Sequence, residues 1–119
     1  MSYIHPLLKP KTRKATVARL LKAIRSKKQK IHYVVGMGHS GVIVASYVSD
    51  ALKIPLVIVR KNAESSHGNP IEIPYGSLFD KNYIIVDDGI CTGKTINKII
   101  KTIHSEYDTF HCVGLFLYA

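Results

Sequence analysis

The sequence has no tryptophan and only two cysteines, Cys91 and Cys112. Two thiols cannot form a disulfide framework, so a reducing compartment, the cytoplasm, is the expected location. Acidic residues are missing from the whole first stretch of the chain, Asp50 being the first. No apolar run approaches the ~18–20 residues of a membrane helix. The start MSYIHPLLKPKTRK lacks the sustained apolar stretch and small-residue cleavage site of a secretory signal. These absences argue against a disulfide-stapled secreted domain and against a membrane partner. What is present is ordinary for a globular protein: 119 residues, 46% hydrophobic and 21% charged, a composition that disordered chains do not have. A single domain over residues 1–119 is expected, able to bury roughly two-thirds of its unfolded surface.

The charge is lopsided. Lys9, Lys11, Arg13, Lys14, Arg19, Lys22, Arg25, Lys27, Lys28 and Lys30 precede the first acid, and the formal net charge is +9. A basic segment over residues 1–30 attracts polyanions, whether nucleic acid, a phosphorylated ligand or an acidic partner. It is also what a solvated helix face with a basic tail looks like.

Periodicity organises the rest. Val17, Leu20, Leu21 and Ile24 recur at helical spacing. Ile31–Val35 reads as a buried strand ending at Gly36, and the apolar segment after Gly41 as a buried helix. Leu56–Val59, Tyr83–Val86 and Cys112–Tyr118 read as further strands, and Ile96, Ile99, Ile100 and Ile103 as another helical stripe. Residues 60–80 show no sustained period, and a loop of that length is usually functional. Strands alternating with helices predict an α/β fold, an open parallel sheet with helices on both faces.

In such sheets ligands bind beyond the carboxyl ends of the strands, and two turns stand out there. Gly36-Met37-Gly38-His39-Ser40-Gly41 fits GxGxxG between a strand and a helix, which presents backbone N–H groups to an anion. A dinucleotide site also needs an acid at the end of the next strand, and that strand ends in Arg60-Lys61. The second turn is Asp87-Asp88-Gly89-Ile90-Cys91-Thr92-Gly93-Lys94-Thr95. It is not a Walker loop, because Asp88 stands where that loop needs glycine, and a carboxylate there repels phosphate. Adjacent carboxylates can instead accept hydrogen bonds from a vicinal diol, while the small residues that follow wrap a terminal phosphate at a helix start. A diol and a phosphate a few ångströms apart describe a phosphoribosyl group.

These residues resemble the type I phosphoribosyltransferases. VDDGICTGKT looks like their motif for 5-phosphoribosyl 1-pyrophosphate (PRPP), GMGHSG is similar to their pyrophosphate loop, and VRKNAESSHG is similar to the mobile loop of orotate-type members. The resemblance implies that Asp87 and Asp88 hold the ribose hydroxyls, and that Gly89, Ile90, Cys91, Thr92, Gly93, Lys94 and Thr95 enclose the 5′-phosphate. Gly38, His39, Ser40 and Gly41 would face pyrophosphate, with a non-proline cis peptide expected near His39-Ser40. Arg60, Lys61 and His67 are the candidate catalytic residues, clamping the leaving group from a lid over residues 60–80.

The reaction implied is displacement of pyrophosphate from PRPP by a ring nitrogen of a nitrogenous base, with water excluded. Mg²⁺ is expected to arrive on PRPP, without a dedicated protein cage. Purine-type relatives commonly carry Asp where this chain has Cys91, and the stretch between Arg60-Lys61 and His67-Gly68 lacks the usual extra lysine. A hood over the base is expected to be minimal or absent; Tyr3, Tyr75 and Phe79 are stacking candidates. A homodimer is expected. The alternatives are a non-catalytic PRPP or nucleotide-binding regulator with nucleic acid as partner, and an NAD(P)-dependent enzyme using GMGHSG.

Overall fold

The computed structural model describes residues 4–60, 70–74, 82–89 and 92–118. The chain begins with two helices, α1 (Ile4–Leu8) and α2 (Pro10–Arg25), then β1 (Tyr33–Met37) and α3 (Gly38–Leu52). After these come β2 (Leu56–Val59), β3 (Ile71–Glu72), β4 (Asn82–Asp87), α4 (Thr92–Glu106) and β5 (His111–Leu117).

The five strands form one sheet in the order β3-β2-β1-β4-β5. β1 pairs in parallel with β2 and with β4, and β4 in parallel with β5. β3 is antiparallel to β2, so the expected parallel sheet carries one short strand of opposite direction at its edge. That strand lies inside the stretch expected to be irregular; two residues are too few to show a period.

Side chains alternate across the sheet as a doubly covered sheet requires. Val34, Ile84 and Val86 face one layer, where Leu7 of α1, Val17, Leu20 and Ile24 of α2, and Val44, Ala45 and Val48 of α3 bury against them. Tyr33, Val35, Met37, Tyr83 and Ile85 face the other, packed on Ile99 and Ile103 of α4. Both predicted helical stripes are therefore the core faces of their helices. Tyr33 stacks on Phe110 with ring centroids 5.5 Å apart, closing the second layer beyond α4.

The bounds of β1 and the start of α3 differ from the periodicity by more than one residue. β1 starts at Tyr33 and runs through Met37, since Gly36 and Met37 pair with Ile58 and Val59. Gly36 is thus inside the strand, and α3 starts at Gly38 rather than after Gly41. Close packing is the reason: a Cβ on Gly36 would lie 2.6 Å from the Gly41 carbonyl oxygen and 2.9 Å from Ala45 Cβ. The strand touches the first turn of its own helix, which only glycine permits.

β5 holds a further irregularity. Tyr83 pairs with Cys112, but Ile84 pairs with Gly114, so Val113 is an extra residue, a β-bulge. Beyond it, Gly114 and Phe116 share the face of Ile84 and Val86, and Tyr118 joins the α2–α3 layer.

Candidate active site

The direction of chain crossing reverses at β1. Its connection to β2 leads one way across the sheet and the neighbour on its other side is β4, which makes the gap beyond the carboxyl ends of β1 and β4 the switch point where ligands bind. β1 delivers Gly38, His39, Ser40 and Gly41 to this edge; β4 delivers Asp87, Asp88 and Gly89. The two turns singled out in the sequence are therefore neighbours in space. Arg60 follows β2 at the same edge.

Both helices that start here do so without an acidic side chain in the first turn. α3 also has no side-chain cap: Met37, extended at φ −139° and ψ 142°, occupies the capping position and cannot accept the first N–H groups. N–H groups that the capping side chain leaves uncapped, together with the positive end of the helix dipole, suit an external anion. Gly38 turns the chain into α3 with φ +78°, which a side chain would strain. His39 is exposed, Ser40 half-buried and Gly41 buried. The described residues contain no cis peptide bond, so the expected one at His39-Ser40 is absent and the loop enters α3 through a glycine turn instead.

Asp87 is the buried charged residue of the site, 5% exposed. One oxygen, Oδ2, accepts a 3.0 Å hydrogen bond from the Gly89 N–H. Burial pushes its carboxyl above the usual aspartate range; the Gly89 N–H pulls the other way and the charge of Asp88 adds to the rise. No cation among the described residues pairs with it. A desolvated carboxylate in that state is set to accept further hydrogen bonds, or to face a cation brought by a ligand. Asp88 beside it is half-buried. Among the described residues no group of three His, Cys, Asp or Glu side chains is arranged to hold a metal ion.

On the α4 side, Gly93 and Lys94 are exposed and Thr95 is half-buried in the first turn of the helix. Thr92 begins the helix; Ile90 and Cys91 lie outside the described residues. So do Lys61 and His67, and the stacking candidates Tyr3, Tyr75 and Phe79. Arg60 is described, and its partners are specific. Its guanidinium is paired with Glu72 of β3 through Nη2, its backbone N–H donates to the Pro70 carbonyl at 2.8 Å, and its buried Nε has no partner among the described residues.

Tyr118 also stands here, a residue that no motif points to. Its hydroxyl donates to Ser40 Oγ at 2.8 Å, 78 residues away in the chain. Its N–H donates to the Asp87 carbonyl at 3.0 Å, and Arg19 Nη2 of α2 donates to its carbonyl at 2.8 Å. One buried residue thus joins both turns and the basic helix. No periodic signal marks it; only the bulge in β5 decides its side of the sheet.

The chain as a whole is similar to known proteins. The phosphoribosyl transferase domain model matches residues 6–116, and the chain belongs to that family. Orotate phosphoribosyltransferase of Fusobacterium nucleatum is 26% identical over 110 residues, 92% of this chain and 52% of that protein. Its counterpart from Listeria monocytogenes is 32% identical over 95 residues, 79% of this chain and 44% of that protein. The chain therefore spans about half the length of the curated relatives it matches. Among solved structures, adenine phosphoribosyltransferase from Rhodothermus marinus superposes with a TM-score of 0.74 at 24% identity, over 98% of this chain and 72% of that one. Orotate phosphoribosyltransferase from Aeropyrum pernix does so with a TM-score of 0.74 at 19% identity, over 97% and 63%. At those identities the likeness is one of fold.

Proposed function

We propose that the protein transfers the 5-phosphoribosyl group of PRPP to a nitrogenous base, with release of pyrophosphate. The observation that carries this reading is the meeting of the Gly38–Gly41 turn and the Asp87–Gly89 turn at one sheet edge, around a buried carboxylate with no cation partner among the described residues. In this reading Asp87 and Asp88 accept hydrogen bonds from the ribose diol. The first turn of α4, with Gly93, Lys94 and Thr95, takes the 5′-phosphate, and the N–H groups at the start of α3 take pyrophosphate.

A displacement of this kind builds positive charge on the sugar and negative charge on the leaving group. Fixed donors aimed at that leaving group lower the barrier without covalent chemistry. Arg60, together with Lys61 and His67 from the following segment, would complete the clamp. Magnesium fits as a passenger of PRPP: bound to pyrophosphate it would screen the phosphate charge, and the desolvated Asp87 and its neighbour Asp88 are the anions that would face it. A homodimer in the cytoplasm completes the reading, as the family resemblance and the two cysteines imply.

Pyrophosphate release from PRPP and Mg²⁺ with a panel of bases tests this, with orotate and adenine first because the relatives are named for them. Asp88→Asn and Thr95→Ala should each weaken PRPP binding. Failure of the unaltered protein to bind PRPP refutes the reading.

A second reading is favoured by one feature of α2. Lys11, Arg13 and Lys14 sit in or next to its first turn, with no acid among them, where cations oppose the helix dipole at a cost of roughly 0.3–1 kcal/mol each. Lys11, Lys14, Lys22 and Arg25 are all exposed. Cations kept where they destabilise a helix suit a surface that meets a polyanion, and a PRPP-binding regulator that also binds nucleic acid would use it so. RNA or DNA binding that falls steeply with salt supports this reading, and absent or salt-insensitive binding removes it.

A further inference from the structure

We infer that Tyr118 is a positioning residue for the pyrophosphate half of the site, holding the Ser40 hydroxyl so that its proton is aimed at the leaving group. The inference rests on the function proposed above and adds a residue to it.

The geometry is that of a relay. A phenol is a better donor than an aliphatic alcohol, and the Tyr118 hydroxyl donates to Ser40 Oγ at 2.8 Å. Ser40 Oγ therefore uses a lone pair toward Tyr118, and its own O–H is turned away from the phenol. Ser40 stands in the first turn of α3, whose N–H groups lack a side-chain cap. An anion seated on those N–H groups is the natural acceptor for the freed serine proton. Donation by Tyr118 polarises that O–H and strengthens the second bond of the chain.

Tyr118 is fixed well enough to act this way. It is 6% exposed, its backbone is held at both ends, by the Asp87 carbonyl and by Arg19, and its ring lies in the α2–α3 layer. Burial, reinforced by the Asp87 and Asp88 charges against the opposing Ser40 bond, pushes its hydroxyl up to about 12, so it keeps its proton across the physiological range. Tyr118 is hydrogen-bonded to the acidic turn through the Asp87 backbone, whereas it reaches the pyrophosphate turn through a side-chain hydroxyl. Removing the hydroxyl should therefore be felt by one half of the ligand and not the other.

Calorimetric titration of Tyr118→Phe, Ser40→Ala and the double variant with magnesium pyrophosphate and, separately, with ribose 5-phosphate tests this. Tyr118→Phe should weaken pyrophosphate binding roughly three- to tenfold, the range of one lost hydrogen bond, and leave ribose 5-phosphate affinity within about twofold. The double variant should bind pyrophosphate no worse than Ser40→Ala alone, since the two hydroxyls act as one unit. Equal weakening of both ligands, unchanged pyrophosphate affinity in Tyr118→Phe, or additive losses in the double variant would each overturn the inference. Asp88→Asn, run alongside, separates the two layers of argument. If it leaves ribose 5-phosphate binding unchanged, or if the unaltered protein binds neither probe, the reading of the site itself fails and this inference with it.

Discussion

Arg60, at the carboxyl end of β2, is ion-paired with Glu72 of β3, with their side chains 30% and 51% exposed. A residue proposed for the pyrophosphate clamp is thus held by a carboxylate, whose sign is wrong for a phosphate ligand. The pair gives Arg60 a resting position and lowers the positive potential at the site edge.

Glu72→Gln should release that hold. Pyrophosphate affinity is expected to rise about two- to fivefold, of the order a single nearby charge contributes in water. The stability loss should stay under about 1 kcal/mol, because half-exposed pairs contribute little. Titration with magnesium pyrophosphate and urea unfolding measure the two; a fall in affinity would show that Glu72 orients Arg60 for binding rather than restraining it.

Asp87 ties stability to pH in the direction opposite to a salt-bridged acid. Burial raises its pKa above the ordinary aspartate value, so the folded protein binds that proton more tightly than the unfolded chain does. Its contribution to stability is full below the ordinary value and is lost as pH rises through the raised one. Asp87→Asn is expected to melt a few degrees higher than the unaltered protein at neutral pH, and to lose the pH dependence of that window. PRPP binding should fall roughly 10- to 100-fold with the charged acceptor gone. Thermal melts from pH 3 to 7, with PRPP titrations at pH 7, check both parts.

Gly36→Ala should damage fold and site together. The new methyl would lie 2.6 Å from a backbone oxygen, which cannot swing aside as a side chain would. A loss of roughly 1–3 kcal/mol is expected from such overpacking, with weaker pyrophosphate binding because Gly41 must retreat. A chemical denaturation midpoint unchanged from that of the unaltered protein would contradict the close contact.

Lys53→Gly supplies the opposite case. Lys53 caps α3 in the left-handed region, φ 58° and ψ 43°, at a cost glycine does not bear. Allowing for the greater chain entropy of glycine, a gain of roughly 0.5–1 kcal/mol is expected. Lys53 lies at the end of α3 away from the site, so PRPP affinity should not move, and urea midpoints with a PRPP titration test this.

Much of this architecture is legible in the residues because each helix meets a single layer. Val17, Leu20 and Ile24 all bury on one side of α2, so spacing alone finds them. Asp87 and Asp88 are legible for another reason: chain neighbours at a strand end need no tertiary knowledge to be placed together. β3 escaped because its two residues owe their conformation to pairing with Ile58 and Val59. The hold of Glu72 on Arg60 escaped for the same reason, since that edge pairing brings the two together. The Tyr118–Ser40 bond depends on the order of strands across the sheet, which no local pattern encodes.

The extra residue at Val113 has a consequence for the chemistry at the far edge. Even-numbered positions from Cys112 to Tyr118 would share one side of an uninterrupted strand; here Cys112 sits with Tyr83 on the α4 side, and Phe116 and Tyr118 on the other. Were Val113 itself paired with Ile84, every later residue would slip by one and change face, pointing the phenol away from the serine it serves. A single inserted residue, some five positions upstream, thus decides which layer the end of the strand joins.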